Sequence, residues 1–438
     1  MKESCTRRGF VGKSAVAAMG IGLAARAVGA EGGPPPSDVV SMGFIGVGSM
    51  GSGNLRAFAA NKDVRVSAIC DVNVPRREAV VKRYQPTAKG YHDFRELLDQ
   101  KDIDAVCIAT PPHWHAIMAI HAAKAGKDYY LEKPMTLYVA ESQAVVKAAV
   151  ENKRVTQVGT QIHAGANYRR VVEIVRAGVL GKINVVRTFN VMNQTSRGIG
   201  MGKTGPPPKG LDWDMWVGPA PMRPWNSLIT ASAYHHCSFM DFSGGWLPGM
   251  APHIIDLPVW ALDLPLPSQV SCAGGRFIIH DAGDAPEVQE CLFRYPNLVM
   301  TWMHNLANSY GFDFQGKGGR ARRLGIYFHG EKATLYTNYS QHTIVPEAGP
   351  KAKIELPPPS LPPLPEHHRQ LIDAVKTRQQ PSCNVVYHHR VNVPLCLANV
   401  SYKIGRSVQF DPKTETVIGD EEAQRLLTPT YREPWTLG

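Results

Sequence analysis

The segment that most constrains this chain is Gly46-Val47-Gly48-Ser49-Met50-Gly51. By itself a G-x-G-x-x-G pattern is a weak signal. Here an apolar strand-like run, 39–45, leads into it and a helix-forming stretch, 54–60, leaves it, while Asp71 stands twenty residues beyond Gly51. That order is the order of a βαβ dinucleotide-binding unit. Gly46 permits the tight turn, Gly48 lets a pyrophosphate approach the backbone, and Gly51 lets the helix close on the strand. The helix N-terminus then offers free N–H groups and the positive end of its dipole to the phosphates, with Ser49 and Met50 of the turn among the expected cofactor contacts. Asp71 ends a second strand-like run, 64–70, where a carboxylate accepts hydrogen bonds from the adenosine ribose. Asp71 would repel a 2′-phosphate, which favours NAD(H); Arg76 and Arg77 keep NADP(H) open.

The first thirty residues read as an address and not as part of the fold. Thr6-Arg7-Arg8-Gly9-Phe10-Val11 carries a twin arginine, a weakly apolar run follows at 14–25, and Val28-Gly29-Ala30 offers a small-residue cleavage site. The apolar run is too short to span a membrane, so no stable membrane anchor is expected. Residues 31–38, with Pro34-Pro35-Pro36, form a stiff linker. The expectation is export to the periplasm or beyond through the twin-arginine translocon, a route taken by proteins already folded. No free nicotinamide pool is expected there. The cofactor would therefore be tightly bound before export and regenerated within the catalytic cycle.

With 438 residues the chain is long enough for two domains. The address holds five basic residues and one acidic, so without it the formal charge falls from +11 to +7. The remaining basic residues are scattered, with no block and no aromatic-interleaved basic helix, so no nucleic-acid partner is expected. Seven cysteines follow the address without C-x-x-C or metal-type spacing, so neither a metal nor an essential disulfide is expected. Cys70 and Cys107 lie in apolar runs as small hydrophobes. Cys272 and Cys291 fall in two strand-like runs and could face each other.

Through residue 160, strand-like runs (64–70, 105–109, 129–131 and 155–158) alternate with helical stretches (76–84, 95–99, 115–125 and 139–152). Such alternation implies a parallel, doubly wound sheet. Beyond Gly159 the pattern changes: a helix at 167–177, a strand at 183–190, a Gly- and Pro-rich loop at 197–210, then β-type runs with little helix between them. Those runs fall at 269–279, 290–293, 298–302, 324–328, 333–336 and 342–345, and imply a mostly antiparallel open sheet. Helices at 368–378 and 391–406 follow, the second packing between the domains. The expected fold is α/β: an N-terminal Rossmann domain over 39–160 and a C-terminal α+β domain over 161–438.

Thr110-Pro111, with His115, follows one strand and Glu132-Lys133-Pro134 the next. Both stand at carboxyl ends of parallel strands, where open α/β sheets bind ligands. Lys133, ahead of a proline and after an apolar strand, is poorly placed as a surface charge and can polarise or protonate a substrate oxygen. His113 and His115 read as loop and cap residues at least as readily as catalysts, and Trp114 could stack near a nicotinamide.

Together these motifs resemble the glucose–fructose oxidoreductase, inositol dehydrogenase and rhizopine-catabolism (Gfo/Idh/MocA) oxidoreductases. The resemblance continues through Val158-Gly159-Thr160-Gln161, Asp212-Trp213-Asp214-Met215-Trp216 and His253-Ile254-Ile255-Asp256, over nearly the whole mature chain. The closing Gly419-Asp420-Glu421-Glu422-Ala423 is similar to an exported, sugar-related branch. The resemblance implies hydride transfer between a ring hydroxyl carbon of a sugar and a nicotinamide contacted from Thr110, Pro111, His115, Glu132 and Lys133. Lys133 would touch the reacting hydroxyl, and the proline after it is often cis, aiming the lysine into the cleft. His253 would be the acid/base on the same hydroxyl, with Gln161, Tyr234 or His236 on the sugar and a pyranose stacked on Trp213 or Trp246. Tyr234-His235-His236 is read as extended, its two histidines pointing opposite ways and so not sharing a metal.

There is one departure. Members often carry an aspartate four residues before that histidine, and this chain has Gly249. Three arrangements stay open: His253 works with Lys133 alone, it borrows Asp241, or the chemistry is altered; Asp256 reads as structural. Some relatives are glycoside hydrolases that oxidise a ring hydroxyl transiently, eliminate the aglycone, add water and reduce back, which is the alternative reading. A non-catalytic sugar- or nucleotide-binding relative is the third, with Gly249 as its support. The open face of the second sheet suggests a homodimer or homotetramer by analogy.

Overall fold

The computed structural model describes residues 38–310, 323–349 and 351–438. The twin-arginine address and residues 31–37 lie outside the described residues. From the N-terminal side the order is β1 (Val40–Ile45), α1 (Ser49–Ala59), β2 (Val64–Cys70), α2 (Val74–Arg83), β3 (Lys89–Tyr91), α3 (Phe94–Leu98) and β4 (Ala105–Ile108). Then come α4 (His115–Lys124), β5 (Asp128–Leu131), α5 (Val139–Glu151) and β6 (Thr156–Val158). The six strands are parallel in the order β3-β2-β1-β4-β5-β6. All six residues of β1 are buried, as covered parallel strands require. The order reverses between β1 and β4, so the turns leaving these two strands face each other across a crevice. Helix starts follow local chemistry: the Asn73 side chain accepts the Arg76 N–H at 3.0 Å and Asp93 that of Arg95 at 2.9 Å.

The second domain begins with α6 (Ala166–Arg176) and β7 (Ile183–Asn193). Five short helices follow: α7 (Trp213–Val217), α8 (Ala233–His236), α9 (Met240–Ser243), α10 (Trp246–Met250) and α11 (Pro252–Leu262). The strands are β8 (Gln269–Gly275), β9 (Val288–Arg294), β10 (Val299–Asn305), β11 (Ala307–Asn308), β12 (Leu324–Gly330), β13 (Ala333–Thr337) and β14 (His342–Pro346). Helices α12 (His367–Thr377) and α13 (Val385–Ile404), strands β15 (Val408–Asp411) and β16 (Thr416–Val417), and α14 (Glu421–Arg425) close the chain. The sheet runs β14-β13-β12-β7-β10-β9-β8-β15-β16, with β11 against β7. Neighbours are antiparallel, with one parallel pair, β7 and β10, at the centre. Along β9, Gln289, Cys291 and Phe293 point inward while Glu290, Leu292 and Arg294 are exposed. Phe293, Met300, Trp302 and Phe328 form one core with residues of α6, α11 and α13. Each such side chain contributes about 1.5–3 kcal/mol by leaving water. Cys272 and Cys291 do face each other, Sγ to Sγ at 3.1 Å, both as free thiols.

Three local expectations need correction, and one stretch without an expectation takes a definite form. The run 269–279 ends as a strand at Gly275; beyond it Phe277 and Ile278 stand exposed in a loop, while Ile279 is buried. The stretch 213–262, to which the sequence pattern assigns no element, holds five helices with caps of their own: Asp212 accepts the Met215 N–H at 3.0 Å, and Gly244 ends α9 at a φ of +70°. Tyr234-His235-His236 is a helical turn begun by Ser232 and not an extended segment. Helix α13 starts six residues before 391, where Asn384 caps it by accepting the Tyr387 N–H at 3.0 Å, and it carries Pro394 within.

The domains share a tight seam. His113 sets its ring nitrogens 3.2 Å from the Phe242 carbonyl and 3.0 Å from that of Trp216, and Trp114 Nε1 donates to the same Trp216 carbonyl at 3.1 Å. Leu371, Ile372 and Val375 of α12, with Cys383 and Val385, complete the cores of the first domain. Trp435 packs edge-on against Trp114, with ring centroids 4.6 Å apart.

Burial pushes His113, His115, His304 and His388 down to about 4 and His367 to about 3, from an ordinary 6.5. The unfolded chain therefore binds protons below pH 6.5 that the folded chain refuses until about pH 4. Stability is full above the unfolded value and is lost as pH falls between the two. Thermal unfolding is expected to give a Tm independent of these groups above pH 7 and falling steadily from about pH 6.5 to 4.

Candidate active site

The crevice at the reversal of sheet order is a cleft with about 1220 Å3 of open space between the domains. Gly46 turns at a φ of +81°, and a Cβ there would lie 2.8 Å from the Ala109 carbonyl oxygen. At Gly51 a Cβ would lie 1.9 Å from the Gly46 carbonyl oxygen, so α1 sits directly on the turn. A Cβ on Gly48 would meet nothing closer than the Arg76 guanidinium at 3.8 Å, which leaves this backbone bare toward the cleft. Ser49 and Met50 stand exposed at the start of α1, whose first turn holds no acidic side chain. Asp71 accepts the Val47 N–H at 3.0 Å and the Asn73 N–H at 2.8 Å, with Arg76 at 3.5 Å. A bare glycine backbone, a helix start and a fixed carboxylate fit a dinucleotide: Gly48, Ser49 and Met50 would hold its pyrophosphate and Asp71 its ribose.

Glu132 is buried beneath this turn. Its carboxylate accepts from Asn54 Nδ2 at 2.9 Å and from the Lys133 N–H at 3.1 Å, and a Cβ on Gly159 would lie 2.9 Å from it. The Lys133–Pro134 peptide is cis. Lys133 reaches across to the second domain and donates from Nζ to the Gly249 carbonyl at 2.9 Å. Thr110 and Pro111 line the cleft between this lysine and the glycine turn.

Several expected site residues have other partners. His115 is buried behind the wall, its ring between the Pro134 carbonyl at 2.7 Å and the Thr110 carbonyl at 2.9 Å, tying the two strand-end turns together. Gln161 donates to the Tyr130 hydroxyl at 2.8 Å. Trp213 stacks on Trp216 and donates to the Arg223 carbonyl at 2.9 Å; Trp216 lines the cleft. The Tyr234 hydroxyl takes a hydrogen bond from Gln194 at 2.6 Å, while Trp246 is buried and bonds to Ser238 Oγ. Asp241 is exposed and held by Arg223 at 3.4 Å. Asp256 is spent on His163 at 2.9 Å and the Tyr387 hydroxyl at 2.6 Å.

His253 and His236 differ in setting. His253 opens α11 half-buried, with Nδ1 buried and unpartnered among the described residues. Burial and then the nearby Lys133 charge push it down to about 3. His236 lines the cleft, and the same two causes, in the same order, push it to about 3. Sequence reasoning missed Cys237 and the run Ile229–Ala233, which also line the cleft. Nothing in their spacing marks them, because they reach the site through contacts across the domain seam.

The family models complete this picture. The model described as the oxidoreductase family's NAD-binding Rossmann fold matches residues 40–160, and that described as its C-terminal alpha/beta domain matches 164–272 and 295–437. The chain belongs to the Gfo/Idh/MocA oxidoreductases. It is 35% identical over 157 residues to a glycosyl hydrolase family 109 protein of Shewanella baltica, covering 34% of each. It is 33% identical over 142 residues to an inositol 2-dehydrogenase of Salmonella paratyphi B, covering 32% of this chain and 42% of that one. The match thus spans about a third to two fifths of the length of these relatives. Levoglucosan dehydrogenase, solved with NADH and L-sorbose, shares the fold at a TM-score of 0.63 and 18% identity, over 85% of this chain and 99% of that one.

The two glycines predict opposite phenotypes. Gly51→Ala drives a methyl into the Gly46 carbonyl and should cost about 1–3 kcal/mol, seen as a lower Tm. Gly48→Ala should leave Tm nearly unchanged yet weaken dinucleotide binding about tenfold or more, some 1.4 kcal/mol or above, measured by calorimetric titration.

Proposed function

We propose that this chain is an exported NAD(H)-dependent oxidoreductase that moves a hydride between a ring hydroxyl carbon of a sugar or sugar derivative and a nicotinamide it retains. The observation that carries this reading is Lys133, presented at the carboxyl end of β5 into the cleft that the glycine turn and Asp71 open onto. The bound dinucleotide would supply the hydride acceptor and donor. Of the three donors on Lys133, one goes to Gly249; the others, without a hydrogen-bond partner among the described residues, would hold the substrate oxygen. A cation on that oxygen stabilises the negative charge that develops as its proton leaves. Trp216 and Trp114 supply apolar wall, which suits a sugar face. NAD(H) is favoured over NADP(H) because the Asp71 carboxylate stands where a 2′-phosphate would come.

A second reading is favoured by the glycosyl hydrolase family 109 relative: transient oxidation, elimination, addition of water and reduction, giving net hydrolysis with catalytic NAD. It shares the retained cofactor and the same lysine. Export by the twin-arginine route, with the open sheet face pairing copies of the chain, belongs to the same proposal.

Mature protein purified without added nucleotide and then denatured should release near-stoichiometric NAD(H), identified by mass spectrometry. An empty protein would sink the retained-cofactor argument. Lys133→Met should keep the dinucleotide and lose about 10²–10⁴-fold in turnover; unaltered turnover would overturn the role of Lys133. Keto-sugar accumulation supports net oxidation, and aglycone release without net redox supports the hydrolase.

A further inference from the structure

Cys272 of β8 and Cys291 of β9 stand directly opposite each other in the antiparallel register, with their sulfurs 3.1 Å apart. Both side chains turn into the core of the second domain. Opposed residues of an antiparallel pair either exchange two backbone hydrogen bonds or exchange none, and the second kind brings side chains closer. The Cys272 N–H settles which kind this is: it points away from β9 and donates to Ser401 Oγ of α13 at 2.9 Å. Val270, two residues earlier and facing the same way, pairs with Val408 of β15. The cysteines therefore form a non-hydrogen-bonded pair, a position at which Cα atoms lie about 4.5 Å apart. That falls within the roughly 4.4–6.8 Å that a disulfide bridges. Among the described residues no other two cysteines come within hydrogen-bond reach. Cys237 stands where a Cβ on Gly249 would lie 2.9 Å from its sulfur, Cys383 lies 2.8 Å from Thr160 Oγ1, and Cys396 is 3.4 Å from Asn392 Nδ2. The chain between Cys272 and Cys291 forms a loop that braces the segment beside the cleft. Asp284 accepts the Met240 N–H at 2.7 Å, the Ala285 N–H donates to the Ser238 carbonyl at 3.0 Å, and Asp281 accepts the Ile199 N–H at 2.8 Å.

We propose that Cys272 and Cys291 are a disulfide site: the fold brings them together as thiols, and an oxidising compartment closes them into a bond that pins the base of this loop. Closure in the cell rests on the export reading above; the pairing itself does not. The oxidant is another disulfide, small or protein-borne. The thiolate of one cysteine attacks a sulfur of that disulfide and expels one half of it as a thiol, leaving a mixed disulfide. The thiolate of the second cysteine then attacks the first cysteine's sulfur and expels the other half. The two protein thiols lose an electron pair and two protons, and the oxidant gains both as its disulfide becomes two thiols. Both sulfurs are buried, and burial pushes the Cys291 thiol up. The exchange therefore runs through local opening near the sheet edge, where only β15 and β16 lie beyond β8. Because the thiols meet only once the sheet has formed, folding does not need the bond. The closed ring, residues 272–291, takes freedom from the unfolded chain and so stabilises the fold.

The test starts from the mature protein, fully reduced and then held in oxidised glutathione, with and without urea below the unfolding transition. Alkylation after denaturation and peptide mapping by mass spectrometry should find Cys272 joined to Cys291 and the other five described cysteines free. The oxidised form should unfold a few degrees above the reduced one. In Cys272→Ser and in Cys291→Ser both the cross-link and that difference should vanish. Thiols that stay reduced even in urea, or a bond between other partners, overturn the site, as does a reduced form no less stable than the oxidised one. Trapping thiols by alkylation in whole cells then separates the site from the export reading. A pair closed in the wild type and open when Arg7 and Arg8 are both changed to lysine supports the two together. A pair that closes with glutathione but is open in cells overturns the export reading and leaves the site standing.

Discussion

The Glu132 carboxylate is the constraint on which the site depends. It is a buried anion with no cationic side chain among its hydrogen-bond partners, held by Asn54 of α1 and by the backbone of the lysine that follows it. Such a charge is tolerated in the interior only when its oxygens are saturated by donors. Satisfying it fixes three things at once: the axis of α1 above the glycine turn, the turn at Lys133, and the approach of Gly159 at the end of β6. The glycine turn and the lysine are therefore positioned by one group at the wall of the cleft.

A second layer of positioning runs through histidines that do no chemistry. His113 lies between two carbonyls of the second domain, and His115 between carbonyls of the two strand-end turns of the first. Each ring faces a carbonyl at both nitrogens, and because burial disfavours its charged form it donates to only one of the two. The seam is thus held by desolvated rings whose hydrogen bonding is sensitive to acid.

The parts of this arrangement that were legible in the sequence are those set by short-range chemistry. The glycine turn and Asp71 follow from spacing within one βαβ unit, Lys133 from its place at a strand end, and the first domain from its alternation of strand and helix. Side-chain direction in the second domain was not legible, because it is decided by distant partners: Tyr130 for Gln161, Trp216 for Trp213, Gln194 for Tyr234. The helical turn at 233–236 did carry a local signal, a serine three residues before His235, but a lone cap over one turn is easily outweighed by its surroundings. The meeting of Cys237 with Gly249 has no counterpart in sequence spacing, since it arises where α8 packs on α10.

The cores of the first domain include residues from α12 and the start of α13, and Trp435 lies against Trp114. A ribosome making this chain releases the dinucleotide-binding segment long before those residues exist. The nascent first domain must therefore wait with part of its apolar surface uncovered, a condition that invites chaperone custody. Assembly here is a matter of closing a ring in time: the portion synthesised first is among the last to be finished.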